Sequence, residues 1–164
     1  MKTLILVRHA KSNHAMNGQR DIERSLNEKG MADATMMAQR LLLKGDMPDA
    51  FISSPAKRAF TTCSLFAKVF NLPAVPILTE NKLYEASANT FYEVVQNVAD
   101  QFSCIALFSH NPGISYFVNT LSSKQIEGMP TCGIFAVKTS IDSWKDFRDA
   151  QKDFCYFDFP KNLS

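Results

Sequence analysis

Short apolar runs alternate along this chain with longer stretches in which apolar residues return every three or four positions. The first run, at residues 3–7, reads as a buried parallel strand. The polar stretch 11–26, with Gly18 and mixed charges, reads as a loop. Asn27 is placed to cap a helix over 28–44, where Met31, Ala34, Met37, Ala38, Leu41 and Leu42 keep helical spacing, and Gly45 closes it. A second strand is expected at 50–53. Ser54-Pro55 then has the form of an N-cap followed by proline at the first helical position. The helix it opens reaches about residue 70, with Ala59, Cys63, Phe66, Ala67 and Phe70 facing inward. Pro73 and Pro76 mark a connection with a short extended stretch. Residues 90–98 read as helix and 104–108 as a third apolar strand. Another helix follows Ser109-His110-Asn111-Pro112-Gly113, to about residue 121. Strands are expected at 133–137, 143–147 and 154–159.

Strands alternating with helices argue for an α/β fold, a three-layer α/β/α sandwich around a mostly parallel sheet. No internal repeat or linker divides the chain, so residues 1–164 read as one domain. In such sheets ligands bind outside the carboxyl ends of the strands. Functional residues should therefore stand just after the apolar runs.

That edge is where the chemistry collects. Arg8-His9 follows the first strand, Arg58 falls in the first turn of the helix after the second, and His110 follows the third. A fourth connection offers Glu85. Two guanidiniums can clamp phosphate oxygens through paired, charge-assisted hydrogen bonds, and helix N-termini at the same edge add backbone donors. One histidine can attack phosphorus while the other stabilises the equatorial oxygens, and His110, if protonated, adds positive charge. A carboxyl group can serve the leaving group and then water. Taken singly, each of these residues reads better as surface or turn chemistry, and His14 keeps that reading as a loop residue. Their coincidence on one edge carries the argument.

Composition narrows the classes. Hydrophobic residues make up 46% and the net charge is only +2, which gives no electrostatic case for nucleic acid. No segment approaches a membrane span, and the first apolar run is too short for a secretion signal, so a cytoplasmic protein is expected. Cys63, Cys104, Cys132 and Cys155 are widely spaced and fit reduced, buried residues better than disulfides or a zinc site. No metal-binding motif, Asp-x-Asp or glycine-rich phosphate loop occurs. The positions six residues after the cysteines hold Val69, His110, Lys138 and Lys161, where a cysteine phosphatase needs arginine.

The segment Leu4-Ile5-Leu6-Val7-Arg8-His9-Ala10-Lys11-Ser12 resembles the signature of the histidine phosphatase superfamily, and most of all its small branch of SixA-type phosphohistidine phosphatases. Supporting stretches are Asp21-Ile22-Glu23-Arg24-Ser25-Leu26-Asn27-Glu28-Lys29-Gly30, Ser53-Ser54-Pro55-Ala56-Lys57-Arg58-Ala59, Leu83-Tyr84-Glu85-Ala86 and Phe108-Ser109-His110-Asn111-Pro112. The resemblance implies a phosphoglycerate mutase-like fold and no metal or other cofactor. It implies His9 as nucleophile, with Arg8, Arg58 and His110 forming the phosphate pocket. Ser12 and Arg24, within the same stretches, join the substrate-binding set, and Glu85 matches the proton donor loosely. The expected partner is a protein bearing a phosphorylated histidine; the oligomeric state is open. Two departures stand out. Ala10 replaces the commoner glycine, which is tolerable where the backbone keeps negative φ. Ala15 stands where larger members have a phosphate-binding asparagine, with Asn13 two residues away, which speaks against a phosphoglycerate mutase. A phosphatase of small phosphate esters and a catalytically weak phosphoprotein-binding module are the alternatives.

Overall fold

A computed structural model of the chain describes residues 1–71 and 74–163. Among these, six strands form one sheet: β1 (Lys2–Arg8), β2 (Ala50–Ser53), β3 (Ile77–Thr79), β4 (Cys104–Ser109), β5 (Ile134–Thr139) and β6 (Asp153–Asp158). Their spatial order is β3-β2-β4-β1-β5-β6. The neighbours β3/β2, β2/β4 and β4/β1 are parallel, while β1/β5 and β5/β6 are antiparallel, so β5 alone opposes the common direction.

Helices α1 (Glu28–Leu43), α2 (Lys57–Phe70), α3 (Ala88–Gln96) and α4 (Gly113–Leu121) cover both faces. Alternate side chains of a strand point to opposite faces. Accordingly Ile5 and Val7 pack with Met37, Leu41 and Phe66 of α1 and α2, and Leu4 and Leu6 pack with Phe91, Val95 and Phe117 of α3 and α4. Burial on both faces explains why β1 is a continuous apolar run. The expected α/β/α sandwich is what forms.

Most expected elements hold, and each departure has a local reason. Asn27 caps α1 through Gly30 N–H, as read. Met31, however, is exposed, and Leu42 only half-buried. Gly30 is buried in that first turn, and a Cβ there would collide with the Lys11 carbonyl. α2 starts at Lys57 with Ala56 as its N-cap, not at Pro55 after a Ser54 cap. Residues 143–147 are not a strand. Trp144–Asp146 is one 3₁₀ turn that brings Trp144 and Phe147, three apart, to the same core. α3 begins at Ala88, capped by Ser87, two residues before the expected start. The loop 11–26 contains a 3₁₀ turn at Asp21–Glu23 and one bridge, Ser12 with Leu26. Pro76 leads into β3 as expected, and Pro73 lies outside the described residues. No helix among the described residues is long and apolar enough to cross a membrane.

Candidate active site

β1 lies inside the sheet and ends at Arg8, so His9 emerges from the middle of the carboxyl edge. The neighbouring β4 ends in register, Arg8 opposite Ser109, and His110 follows it. The His9 N–H donates to the Ser109 carbonyl at 3.1 Å, and the two imidazoles lie with centroids 5.2 Å apart. One strand further, β2 delivers Ser54 and the first turn of α2 delivers Arg58. Ala10 is buried, has negative φ and donates its N–H to Thr62 Oγ1 at 3.0 Å, while Thr62 in turn donates to the Arg58 carbonyl at 2.7 Å. One hydroxyl thus ties the segment after His9 to the helix carrying Arg58, and alanine meets the backbone condition set for it.

Each ring nitrogen has a definite setting. His9 Nδ1 lies 2.7 Å from the Ala10 carbonyl, which can only accept, so Nδ1 carries the proton and Nε2 keeps a free lone pair. Burial, joined by the charges of Arg8, Arg58 and Arg24, outweighs that hydrogen bond and pulls His9 down to about 4. Burial, then His9 and Arg58, pulls His110 down to about 3. Both imidazoles are neutral near pH 7. In the free site His110 therefore brings no positive charge of its own.

A cleft of about 280 Å³ joins these groups, lined by Arg8, His9, Lys11, Ser12, Arg24, Arg58 and His110. Four of these are cationic and no carboxylate is among the lining residues. Among the described residues, the buried side-chain nitrogens and oxygens without a hydrogen-bond partner are Arg8 Nε, Arg58 Nε and His110 Nδ1. All three belong to residues that line this cleft. Orphaned buried donors are rare and call for an explanation. An anion bound in the cleft would give them acceptors, and would also offset the Arg58 charge that, after burial, lowers the Arg8 pKa.

The remaining site residues divide. Ser12 and Arg24 lie together in the cleft, Arg24 Nη2 donating to Ser12 Oγ at 2.9 Å. His14 is exposed and does not line it. Glu85 is exposed and lines a second, larger cleft of about 550 Å³ that shares Arg58, His110 and Asn111 with the first. Tyr84, Pro112 and the exposed Tyr116 give that space apolar walls. The 84–87 loop is held against α4, because the Ala86 carbonyl packs where a Cβ on Gly113 would stand.

Sequence reasoning gave no role to Asp21, which the fold places at the hinge of the site. Its carboxylate accepts from Tyr84 Oη at 2.7 Å, Arg24 Nη1 at 2.9 Å and Arg58 Nη2 at 3.0 Å, and its carbonyl accepts from Arg58 Nη1 at 2.8 Å. Tyr84 first, then the guanidiniums of Arg24 and Arg58, hold this carboxyl well below the usual range. The Met129 carbonyl was also unforeseen; it accepts from Arg8 Nη1 at 2.9 Å and Asn111 Nδ2 at 3.0 Å. No metal-ligating cluster of His, Cys, Asp or Glu occurs among the described residues. Burial pushes the thiols of Cys63 and Cys104 up to about 12, which leaves them un-ionised near pH 7.

Residues 4–104 match the model of the histidine phosphatase superfamily, branch 1. The chain belongs to this superfamily. Its residues 4–104 span the loop from His9 to Arg24, as well as Arg58 and Glu85, while His110 follows shortly after. An uncharacterized chloroplastic protein of Arabidopsis thaliana is 29% identical over 153 residues, covering 88% of this chain and 70% of its own. The fold is similar to that of SixA from Agrobacterium tumefaciens, at 24% identity and TM-score 0.80 over 95% of this chain and 96% of that one. It is similar to the protein histidine phosphatase SixA complexed with tungstate, at 19% identity and TM-score 0.81 over 99% of both. It is also similar to a mycobacterial glucosyl-3-phosphoglycerate phosphatase complexed with VO3, at 15% identity and TM-score 0.72 over 95% and 98%. These structural likenesses carry the phosphoglycerate mutase-like fold that the superfamily members share.

Proposed function

We propose that this chain, as a single catalytic domain, is a phosphohistidine phosphatase acting on a histidine-phosphorylated protein, through a covalent phosphohistidine on His9. The observation that carries the reading is the free Nε2 of His9 in the same cleft as three buried, unpartnered nitrogens of Arg8, Arg58 and His110. Two of the structurally similar proteins are complexed with oxyanions, tungstate or VO3, as expected of phosphate-handling folds.

In the first step the lone pair of His9 Nε2 attacks phosphorus, and the bond from phosphorus to the leaving group breaks. Arg8, Arg58 and His110 hold the equatorial oxygens, with Ser12 and Arg24 at the rim of the cleft. The leaving imidazole takes up a proton. In the second step the oxygen of water attacks phosphorus, the bond to Nε2 breaks, and inorganic phosphate departs. Glu85, in the adjoining cleft, is the proton donor and later the base for water. The positive charge of the arginines does the work that a metal does elsewhere, so no cofactor enters this scheme.

The leaving-group side favours a protein substrate. The 550 Å³ cleft is bordered by the exposed Tyr116, and its Tyr84 meets His110 edge-on with centroids 5.6 Å apart. Such walls suit a planar ring presented on a partner better than a sugar that needs many polar contacts. The four free cysteines fit a reducing compartment, the cytoplasm on the sequence reading. The similar plant protein is chloroplastic, and a plastid stroma also keeps thiols reduced.

A substrate panel tests specificity. The kcat/KM for a phosphohistidine protein should exceed that for a phosphohistidine peptide, 3-phosphoglycerate, hexose phosphates and nucleotides; a sugar phosphate or nucleotide with the higher value overturns the substrate assignment. Arg58→Ala should weaken phosphate inhibition and lower kcat by about tenfold to a hundredfold, the size of a lost electrostatic contact to a transferring group. Unchanged inhibition and turnover in that variant would remove Arg58 from the phosphate pocket.

A further inference from the structure

We infer that Ser54 fixes the tautomer of His110, acting as a positioning residue that makes a neutral imidazole a hydrogen-bond donor to the bound phosphoryl group. The donor role rests on the phosphatase reading; the tautomer does not. Ser54 and His110 are both buried, and Ser54 Oγ lies 2.7 Å from His110 Nε2. A hydroxyl carries one proton and two lone pairs. Ser54 Oγ accepts the Ala56 N–H at 3.2 Å, which occupies one lone pair, and among the described residues the acceptor in reach of its own proton is His110 Nε2. An imidazole that accepts at Nε2 carries its proton on Nδ1.

Nδ1 is the ring nitrogen without a partner, and the other two such buried atoms among the described residues are arginine Nε groups, which can only donate. With the proton on Nδ1, all three are donors on residues that line one cleft of about 280 Å³. With the proton on Nε2, a bare Nδ1 lone pair would stand among donors aimed at phosphate oxygens, and would repel those oxygens. The pair is also held by the sheet. Ser53 is in register with Phe108 across β2 and β4, and the Ser54 N–H donates to the Phe108 carbonyl at 2.9 Å. Serine at this position thus has a reason other than starting a helix, since the N-cap of α2 is Ala56. The depressed pKa of His110 agrees, because a neutral ring must choose between two tautomers whereas an imidazolium donates from both nitrogens.

Long-range proton–nitrogen NMR on the histidine-15N-labelled chain reads the tautomer directly. The chain has only three histidines, and His14→Gln removes the exposed loop resonance. In the free wild-type protein, His110 Nδ1 should show a protonated and Nε2 an unprotonated nitrogen shift. Ser54→Ala should move both shifts toward the other tautomer and lower kcat on a phosphohistidine protein about tenfold to a hundredfold, less than complete removal of a transition-state donor. Ser54→Thr, which keeps the hydroxyl, should restore both readouts. A protonated Nε2 in the wild type overturns the inference, as does an unchanged tautomer in Ser54→Ala. A shifted tautomer with unchanged kcat overturns the donor role. Should Ser54→Ala not fold, the wild-type spectrum and that of Ser54→Cys decide the matter. The free-protein spectrum needs no substrate, so it stands apart from any failure of the phosphatase reading.

Discussion

His9→Ala should lower kcat on every phosphorylated substrate by at least about 10⁴-fold, in line with nucleophile removal in other covalent enzymes. The expectation follows from where the lone pair lies. Nδ1 is committed to the Ala10 carbonyl, and the ring is kept neutral by burial and three nearby arginines. No neighbour can replace it. His110 Nε2 faces Ser54, and its Nδ1 serves as a donor on this account. The cysteines are held as thiols by burial, and Cys63 and Cys132 are buried outside the cleft lining. Phosphate binding should survive in the variant, because Arg8, Arg58 and His110 are intact. Retained inhibition by phosphate, with an unchanged melting temperature, would show that the variant lost chemistry rather than structure. A residual activity within tenfold of wild type would remove His9 from the nucleophile's role.

Glu85→Gln should separate substrates by their leaving groups. Alkyl phosphate esters should lose about 10²–10⁴-fold in the phosphorylation step, the range for an essential general acid. Phosphohistidine and nitrophenyl phosphate should lose far less, because imidazole and nitrophenolate depart without strong help. Glu85 lines the larger cleft, which shares Arg58 and His110 with the smaller one; with the phosphoryl group in the smaller cleft, the larger is the proposed leaving-group side. Its backbone sits at φ 56°, a left-handed conformation that costs a non-glycine residue on the order of 1 kcal/mol. Glutamine keeps the size and tolerates the same backbone, so the comparison isolates the proton. Single-turnover measurement is needed, since the same carboxylate can act as base in the second step. Equal losses in the first step for all three substrates would make Glu85 a rim carboxylate and nothing more.

Much of this site was legible in the sequence because the chain marks strand ends sharply. β1 and β4 are doubly buried, so each is an unbroken apolar run, and the first polar residues after them, Arg8-His9 and Ser109-His110, must stand at the carboxyl edge. Arg58 was placed by the helix that follows β2. Asp21 escaped because its meaning is entirely tertiary. It is 37 positions from Arg58 and 63 from Tyr84, and a polar loop residue gives no periodic signal of such contacts. Ser54 was misread for a related reason. Ser-Pro is a common helix opening, but the hydroxyl is drawn to His110, 56 positions away, and to the Ala56 N–H. The mistaken strand at 143–147 is a local error of another kind. There two aromatics three apart follow helical rather than strand spacing.

Rapid quench gives the sharpest test of a covalent intermediate on His9. The wild-type chain would be mixed with a ³²P-labelled phosphohistidine protein, quenched in base within milliseconds, and the label mapped by peptide mass spectrometry. The expected result is a base-stable, acid-labile phosphoryl group on His9, as the Nε2 isomer, because Nδ1 is held by the Ala10 carbonyl. Label on another residue, an Nδ1 isomer, or equally abundant phosphoenzyme in His9→Ala would contradict it.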